Sequence, residues 1–505
     1  MELLDVEPLR LANAISPKRA LSSAQGLVYV ISGLIAVRLA AAAWLPLSFD
    51  EAYYWLWSKH LAAGYYDHPP AIAFAIRAGT TLFGDTALGV RAVPFLFSIG
   101  ASWAVWRAGA RLLKSERGGA LACLFFNLSL MTTIETLAAT PDAPQMFASA
   151  LLVWALVELE ATQDARRWLA AGAAGGFALL SKYLALLLGV GVFAWLIGTP
   201  EGRRWLATPW PWLAAAIALL MFAPVLWWNA QHDWISFRFQ FARAGAGHFD
   251  PRYLAELLAG QIALATPGIF VLAAIGLAHP KIRPSPLLGA LALPSLLFFT
   301  EHALHARVQG NWPSFLYPVI SIAAAAAFIH ATRAIPLGRL TTFCRRWAAP
   351  VAALFLAVAY GQALFGFLPF NDPTARLLAD GFEPVATDVA ALRDQHHASA
   401  VLTANYSLTG WLAFYLPKGI PVVQIDEPDR WIGAPEANAS LLHRPAIFVT
   451  RPRRNETVPV ARDFTNLHLL ARLTRRHSGR AAGHYDVYLV SGWRGRPSGH
   501  IVNGR

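Results

Sequence analysis

Cysteine and charge are both scarce in this sequence, and each shortage excludes a class of protein. Among 505 residues there are only two cysteines, Cys123 inside an apolar run and Cys344 beside two arginines. That number indicates neither a disulfide framework nor a cysteine-based metal cluster. Charged residues make up 14% of the chain and hydrophobic residues 56%. Such a composition excludes an ordinary soluble protein of this length and places the chain in a membrane.

The net charge is +12, but the basic residues are spread along the chain. They occur in short clusters between apolar runs and form no continuous basic face, which a nucleic-acid partner would require. Such clusters are typical of loops that set the orientation of a membrane protein. We therefore predict contacts with membrane lipids and no nucleic-acid partner.

Long apolar runs predict membrane-spanning helices. Hydrocarbon offers no water to satisfy backbone groups, and these runs are longer than the strands of an outer-membrane barrel. About eleven spans are expected, at 26–47, 90–112, 118–134, 143–161, 168–181, 183–198, 210–228, 258–278, 285–300, 312–330 and 348–368. The two runs on either side of residue 182 are short, which predicts tilted or half-length helices that meet at a break.

Alternating the connections across the membrane brings the basic clusters to one side. The clusters contain Lys18, Arg19, Arg111, Lys114, Arg117, Arg166, Arg167, Arg203, Arg204, Lys281, Arg283, Arg339, Arg345 and Arg346. The positive-inside rule assigns this side to the cytoplasm, here that of a bacterial cell with the protein in its inner membrane. The loops 48–90 and 229–257 are then predicted to face the periplasm.

After Pro369 the composition changes. Short runs that favour strands occur at 400–403, 421–425, 446–449 and 485–490, and helix-like stretches separate them. This alternation predicts a small soluble α/β domain over 370–505, following a membrane domain over 1–369. An odd number of spans places the small domain in the periplasm.

The first periplasmic loop concentrates ionisable and aromatic side chains. Asp50 and Glu51 follow an apolar helix so closely that they lie at the membrane boundary, where a carboxylate is costly without partners. Aromatic faces beside carboxylates suit a sugar, which stacks through its C–H faces and donates hydrogen bonds through its hydroxyls. Candidate substrate-binding residues here are Tyr53, Tyr54, Tyr66, Asp67, His68 and Arg91. The alternative interpretation is a helix cap at Asp50 or Glu51 beside an interfacial aromatic belt.

Two further charged residues, Asp142 and Lys182, adjoin apolar runs on the same side. Asp142 follows Thr140 and Pro141, so it either complements the dipole of the next helix or faces Asp50 across a cavity. Lys182 either extends toward lipid headgroups or binds a phosphate, which a point charge at the membrane edge can also stabilise as a leaving group.

The segment 229–257 alternates phenylalanine with basic residues. This pattern is typical of a membrane-surface element, and Arg238 and Arg243 are in addition candidate ligands of a lipid phosphate. The segment 301–313 resembles a loop returning into the membrane, in which Asn311 and Trp312 are candidate substrate contacts. His302 and His305 there are weak metal candidates, because their spacing matches no strong metal motif. The sequence requires no cofactor, and a divalent metal ion is unsupported.

Five short segments of the membrane region, taken in their order along the chain, resemble those of a known family. They are Phe49-Asp50-Glu51-Ala52-Tyr53-Tyr54-Trp55, Gly64-Tyr65-Tyr66-Asp67-His68-Pro69-Pro70, Thr140-Pro141-Asp142, Ser181-Lys182-Tyr183 and Gly310-Asn311-Trp312-Pro313. Together they resemble the ArnT-like and dolichyl-phosphate-mannose-protein mannosyltransferase-related glycosyltransferases of the GT-C type. The match covers about 26–330, and the first-loop pattern is its specific part.

The resemblance implies a polytopic α-helical GT-C fold with a periplasmic carboxy-terminal domain. It implies a polyprenyl-phosphate sugar donor and an acceptor at the periplasmic face, either lipid A, lipopolysaccharide, another envelope glycolipid, a glycan or a protein. It further implies that Asp50 is the catalytic aspartate, that Asp142 is the second acidic site residue and that Lys182 contacts the donor phosphate. Glu51 joins them as a catalytic candidate, and Tyr183 as a substrate contact.

The mechanistic hypothesis is that Asp50 accepts a proton from the acceptor, or orients it, while Lys182 and an arginine hold the departing phosphate. No loop for nucleoside phosphates is visible, which agrees with a lipid-linked donor. The rival hypothesis is a transporter or flippase of lipid-linked glycans. Transporters tend to show internal repeats and midplane charges, whereas here the ionisable residues gather at one face and no repeat is apparent.

Overall fold

The computed structural model describes residues 24–245, 247–330, 338–368, 376–452, 456–495 and 499–503. Within these residues a helical bundle is followed by a smaller α/β domain. The predicted boundary between 369 and 370 and the basic residues Lys18 and Arg19 lie outside the described residues.

The bundle is built from α-helices of very different lengths. They are α1 (Ala24–Trp44), α2 (Phe49–Lys59), α3 (Ala71–Phe83), α4 (Ala87–Leu112), α5 (Glu116–Leu128), α6 (Leu130–Leu137), α7 (Asp142–Thr162), α8 (Arg167–Ser181), α9 (Leu186–Gly198), α10 (Pro200–Leu206), α11 (Trp210–Gln231), α12 (Ile235–Gly245), α13 (Arg252–Ala265), α14 (Pro267–Ala278), α15 (Pro286–Ala303), α16 (Tyr317–His330) and α17 (Gly338–Phe365). Short 3₁₀ helices, Tyr183–Ala185 and Trp312–Leu316, precede α9 and α16.

The predicted polytopic helical architecture is confirmed. Among the described residues, 7 helices are long and apolar enough to cross a membrane, or up to 10 if each bent pair of helices is one span. The apolar run at 168–181 forms α8, whose 15 residues make it shorter than the helices counted here, so the number of about eleven spans stays a prediction. The chain is therefore a multi-pass membrane protein.

The break expected beside Lys182 is present. Helix α8 ends at Ser181, and Lys182 has extended backbone angles before the 3₁₀ turn begins. A second break lies between α5 and α6, which meet at 68° around Ser129. There Arg38 donates to the Asn127 carbonyl oxygen at 3.4 Å, so a buried cation satisfies a carbonyl at the end of α5.

Contacts between helix ends show that several basic connections share one end of the bundle. Arg111, at the end of α4, pairs with Glu158 near the end of α7 at 2.7 Å. Ser285, which precedes α15, donates to Glu160 of α7 at 2.7 Å. The residues of the first loop lie at the opposite ends of α1 and α4.

The smaller domain contains a six-stranded sheet. Its elements are α18 (Phe382–Gln395), β1 (Val401–Thr403), α19 (Tyr406–Tyr415), β2 (Val422–Gln424), the 3₁₀ helix Pro428–Trp431, α20 (Ala439–Leu442), β3 (Ala446–Thr450), α21 (Thr457–Asp463), β4 (Phe464–His477), β5 (Arg480–Trp493) and β6 (His500–Ile501). The strand order is β4-β5-β3-β1-β2-β6, with β1 parallel to β2 and β3 and the other pairs antiparallel. Strand β4 was not predicted; it turns into β5 at Ser478-Gly479, where both residues have positive φ, as a two-residue hairpin turn requires.

The small domain shares a hydrophobic core with the first loop. Buried Leu47 and Tyr53 belong to the same core as Phe382 and Trp411 of the small domain. Ala379 also donates its backbone N–H to the Leu47 carbonyl oxygen at 2.9 Å. The loop helix α2 is therefore held between the bundle and the α/β domain, which fixes the residues that begin it.

Candidate active site

Helix α2 places two adjacent carboxylates in different surroundings. Ser48 caps the helix by accepting from the Glu51 backbone N–H, and the Glu51 side chain accepts from the Ser48 N–H at 2.8 Å. This capping box fixes the first turn of α2. Since neighbouring residues on a helix point about 100° apart, Asp50 is directed away from the groups that hold Glu51.

Glu51 is held by a buried network. Arg91 of α4 donates to both its carboxylate oxygens, at 2.6 and 2.7 Å, and the Ala139 backbone N–H donates at 3.0 Å. Arg91 also donates to the carbonyl oxygens of Ala42 and Leu45. Although burial acts to raise it, the pKa of Glu51 is lowered because the Arg91 guanidinium stabilises its charge. The pair thus fastens α2 to α4 and to the segment before α7.

Asp50 has much weaker bonding. Among the described residues, its side chain accepts one hydrogen bond, from the Tyr406 hydroxyl of α19 at 3.5 Å, and stays partly accessible. Burial by surrounding protein raises the pKa of Asp50 to about 7, the nearby Asp67 carboxylate adds to the rise, and Tyr406 opposes it. A carboxylate that binds a proton near neutral pH is suited to accept one from a substrate.

The rest of the first loop forms an aromatic wall around Asp67. Tyr53 donates to Asp67 at 2.7 Å, and Arg430 of the small domain donates to both Asp67 oxygens at 2.7 Å. The ring of Tyr54 packs against Tyr53, with centroids 5.5 Å apart, and the Tyr66 ring lies below the Arg430 guanidinium at 5.2 Å.

Asp142 and Lys182 form a second, separate charged group. Lys182 donates to both Asp142 oxygens at 2.9 Å, and both side chains are buried, at 5% and 2% exposed. Asn311 donates to Asp142 at 2.9 Å and Ser314 at 2.6 Å. Asp142 therefore joins the break after α8 to the 3₁₀ turn before α16, and its oxygens are fully used.

His68 lies between the two groups. Burial lowers the pKa of His68 well below its ordinary value, and the cations Lys182, Arg243 and Arg430 lower it further. Its buried Nδ1 atom has no hydrogen-bond partner within the part of the chain that the structure describes. A neutral imidazole surrounded by three cations marks a place where an anion would be stabilised.

Known proteins resemble this chain in sequence and in fold. Residues 67–228 match the family model described as dolichyl-phosphate-mannose-protein mannosyltransferase. Lipid A galacturonosyltransferase RgtD of Rhizobium johnstonii is 27% identical over 379 residues, 73% of this chain and 77% of the relative. ArnT from Cupriavidus metallidurans, solved bound to undecaprenyl phosphate and in the apo state, has a TM-score of 0.60 in both at 17% identity, and the match covers 92% of this chain and 98% of ArnT.

The chain is a GT-C fold glycosyltransferase. This result confirms the resemblance, the fold class and the enzyme class that the sequence predicted. It also sets aside the transporter hypothesis. The structural likeness establishes the fold, and the two sequence matches establish the class of reaction.

The remaining predicted site residues of the glycosyltransferase are not all brought together. Arg243 lies over the rings of Phe239 and Trp312, at 5.4 and 5.3 Å from their centroids, on the side of His68. Tyr183 shares a hydrogen bond with Ser236 at 2.8 Å, which ties the break to α12. The side chain of Arg238 is exposed and forms no ion pair or hydrogen bond with the described residues, so the structure does not bring it to the others.

The two metal candidates are placed apart. His302 is buried and its ring stacks on Phe298, whereas His305 is exposed and contacts Glu301 at 3.3 Å. Over the ranges that the structure describes, no group of three or more His, Cys, Asp or Glu side chains could hold a metal ion. These histidines therefore form no three-ligand site.

Sequence reasoning missed the residues that the small domain contributes. Tyr406 and Arg430 both reach the first loop, although they follow it by more than 300 positions, and Glu427 accepts from the Tyr406 backbone N–H. A signal was present: residues 426–431, Asp-Glu-Pro-Asp-Arg-Trp, follow a strand and combine charge, proline and an aromatic ring, as the first loop does.

Proposed function

We propose that this glycosyltransferase moves a sugar from a polyprenyl-phosphate donor to a hydroxyl group of lipid A or a similar envelope glycolipid. One observation carries the proposal: the ring of His68, near which three cations lie, is 6.3 Å from the ring of Tyr54, on the same helix as the weakly bonded Asp50 carboxylate. A carboxylate can take the proton of an acceptor while cations hold a phosphate that leaves.

The proposed step is a substitution at the anomeric carbon of the sugar. The acceptor oxygen forms a bond to C1 while the bond from C1 to the donor phosphate oxygen breaks. The acceptor proton goes to Asp50, and the electron pair of the broken bond stays on the polyprenyl phosphate. Asp50 also faces the positive charge that develops at the sugar ring, which a carboxylate stabilises.

Two cations are available to the leaving phosphate. The Lys182 ammonium gives two of its donors to Asp142 and keeps a third, while the Arg243 guanidinium contacts two rings and donates no hydrogen bond to the described residues. Each charge-assisted hydrogen bond is worth about 1.5–3 kcal/mol. Asp142 therefore acts as a positioning residue that aims Lys182.

An apolar cavity beside Lys182 suits the prenyl chain of the donor. It has a volume of about 220 Å³ and lies between α8, α9 and α11. Leu179 and Ala185, three positions before and after Lys182, belong to its lining, and Gly175 and Gly189 line it farther along. A chain that enters here keeps its phosphate near Lys182 and its hydrocarbon out of water.

The substrates are suggested by the relatives. The RgtD relative is a lipid A galacturonosyltransferase, and the ArnT structure contains undecaprenyl phosphate. We propose the same classes here, a polyprenyl-phosphate donor and a lipid A-type acceptor.

The proposed location is a bacterial inner membrane with the site and the small domain in the periplasm. Support comes from the basic connections, which gather at the end of the bundle opposite the first loop. Basic residues are retained on the cytoplasmic side of such membranes.

The test is transfer from a synthetic polyprenyl-phosphate sugar, radiolabelled in the sugar, to purified lipid A by protein in nanodiscs. Asp50→Asn is expected to lose at least about 10³-fold in rate, since both proton acceptance and charge stabilisation are removed. The matched control is Asp233→Asn, because Asp233 is an exposed carboxylate that takes part in none of the contacts described above.

The variants must be compared at equal amounts of folded protein, measured by thermal melting. Equal rates for wild type and Asp50→Asn would reject Asp50 as the base. Failure of wild type with every polyprenyl-phosphate sugar tried, while a sugar nucleotide supports transfer, would reject the donor class.

A further inference from the structure

One arginine of the small domain lies at the centre of the first-loop aromatic wall. Arg430, on the 3₁₀ helix Pro428–Trp431, donates from Nη1 to both oxygens of Asp67 at 2.7 Å. The two side chains are mostly buried, at 17% and 10% exposed. Asp67 in turn accepts from the Tyr53 hydroxyl at 2.7 Å. The small domain therefore contributes a charge to a network that begins on α2.

The guanidinium of Arg430 is enclosed by four aromatic rings from the first loop, α12 and the small domain. Its carbon lies 4.6 Å from the ring centroid of Tyr406, 5.2 Å from Tyr66, 5.7 Å from Phe239 and 5.9 Å from Tyr53. These rings belong to α19, the first loop, α12 and α2. A cation over several ring faces is stabilised at each of them, so Arg430 holds these elements in one arrangement.

Close packing of the small domain on α2 fixes where Arg430 lies. A Cβ atom at Gly410 of α19 would come within 2.9 Å of the Tyr53 backbone nitrogen and 3.0 Å of the Ala52 carbonyl carbon. The Tyr415 hydroxyl accepts from the Leu47 backbone N–H at 3.1 Å. Because α19 and the start of α2 touch through their backbones, the small domain cannot shift without moving α2.

Arg430 also belongs to the set of charged and titratable groups that faces Asp50. That set comprises Asp67 from the loop after α2, Glu51 and Tyr54 from α2, Tyr406 from α19, Arg430 from the small domain and Glu135 from α6. The carboxylates disfavour a negative charge on Asp50, and Arg430 favours it. Without Arg430, Asp67 would face Asp50 with no cation to offset it.

From these contacts we infer that Arg430 is a positioning residue of the transfer reaction, through which the carboxy-terminal domain completes the site around Asp50. This inference rests on the proposed function, in which Asp50 takes the acceptor proton. Arg430 holds Asp67, Tyr53 and Tyr406 beside Asp50 and offsets the charge of Asp67. It contacts neither the anomeric carbon nor the phosphate in this role.

The experiment compares Arg430→Gln, Arg430→Lys, Asp67→Asn and the double variant Arg430→Gln/Asp67→Asn in nanodiscs. The control is Arg444→Gln, an exposed arginine of the same domain. Transfer from the labelled polyprenyl-phosphate sugar is followed against pH, and kcat and the donor KM are obtained separately. Thermal melting reports whether each variant is folded.

Arg430→Gln is expected to lower kcat about 10- to 100-fold with the donor KM changed less than about threefold. The pH at which the rate is half-maximal should rise in Arg430→Gln and fall in Asp67→Asn, because one loses the favourable charge and the other the unfavourable one. The double variant should return toward the wild-type midpoint. Arg430→Lys should recover part of kcat, since it keeps the charge and loses the planar fork.

Several results would overturn the inference. One is an unchanged kcat in folded Arg430→Gln, and another is a loss of rate with no movement of the pH midpoint in either single variant, which is the pattern of a merely structural residue. If wild type and Arg444→Gln both fail to use the polyprenyl-phosphate sugar, the proposed function itself is wrong. If they transfer and only the Arg430 expectations fail, the proposed function stands and the inference does not.

Discussion

Two carboxylates of the candidate active site, Asp142 and Asp50, differ in how many hydrogen bonds they accept. Asp142 accepts from Lys182, Asn311 and Ser314 at 2.6–2.9 Å, whereas Asp50 accepts from Tyr406 at 3.5 Å. A carboxylate whose two oxygens both accept strong hydrogen bonds holds its partners in place, whereas a weakly bonded carboxylate can contact a substrate. The difference supports our proposal of donor binding in the Asp142 region and proton transfer in the Asp50 region.

The strongest test of this division removes Lys182. Lys182→Met leaves Asp142 buried without its cation, which costs roughly 3–5 kcal/mol of stability, and removes a ligand of the leaving phosphate. We expect kcat/KM to fall at least about 10³-fold. Thermal melting and the transfer assay measure the two effects separately.

The double variant Lys182→Met/Asp142→Asn sharpens this test. It removes both charges, so stability should return close to wild type while transfer stays low. Recovery of transfer along with stability would mean that Lys182 only neutralises Asp142.

The pH dependence of transfer tests the Asp50 side of the comparison. Burial raises the pKa of Asp50 to about 7, and a general base acts in its deprotonated form. The rate should therefore rise with pH up to about 7, level off above it, and fall about tenfold for each unit below it. A profile of kcat/KM measured from pH 5 to 9 checks this; a flat profile across that range would exclude Asp50 as the titrating base.

Arg243 and Arg238 offer a matched pair on α12. Arg243 lies beside His68 and Trp312, and Arg238 is exposed. Arg243→Gln should raise the donor KM about 10-fold, the value of one charge-assisted hydrogen bond, and Arg238→Gln should change it less than twofold. Equal effects from both would indicate attraction by surface charge and no defined phosphate site.

The smallest expected effect comes from narrowing the apolar cavity. A Cβ at Gly175 would meet nothing within 4 Å, so Gly175→Leu adds a side chain to the cavity without a backbone clash. The donor KM should rise a few-fold with kcat unchanged. Ala173→Leu, on an exposed position of the same helix, is the control, and an identical rise in both would point to a general effect on α8.

The parts of the molecule that depend on local pattern were predictable from the sequence. Apolar runs located the helices, and a charge adjoining such a run located Asp50, Asp142 and Lys182, because an ionisable group there is costly unless it has partners. Strand β4 was not predicted because a bulge between Leu469 and Ala471 interrupts the alternation of its side chains between the two faces of the sheet.

Long-range docking was not predictable in this way. The contact between Arg430 and Asp67 joins positions 363 apart, and nothing in either segment specifies the other. Likewise, the sequence could not separate Glu51 from Asp50, since only the fold shows that Arg91 saturates one of them.

The distance along the sequence between Asp50 and the small-domain residues has a consequence for biosynthesis. Ribosomes complete the helix that carries Asp50 long before they reach Tyr406 and Arg430, so a chain interrupted in between has a membrane bundle with an unfinished site. Under the proposed role of Arg430, activity begins only when the last domain has folded onto the first loop. The proposal therefore implies that the enzyme modifies no acceptor while its chain is still being inserted.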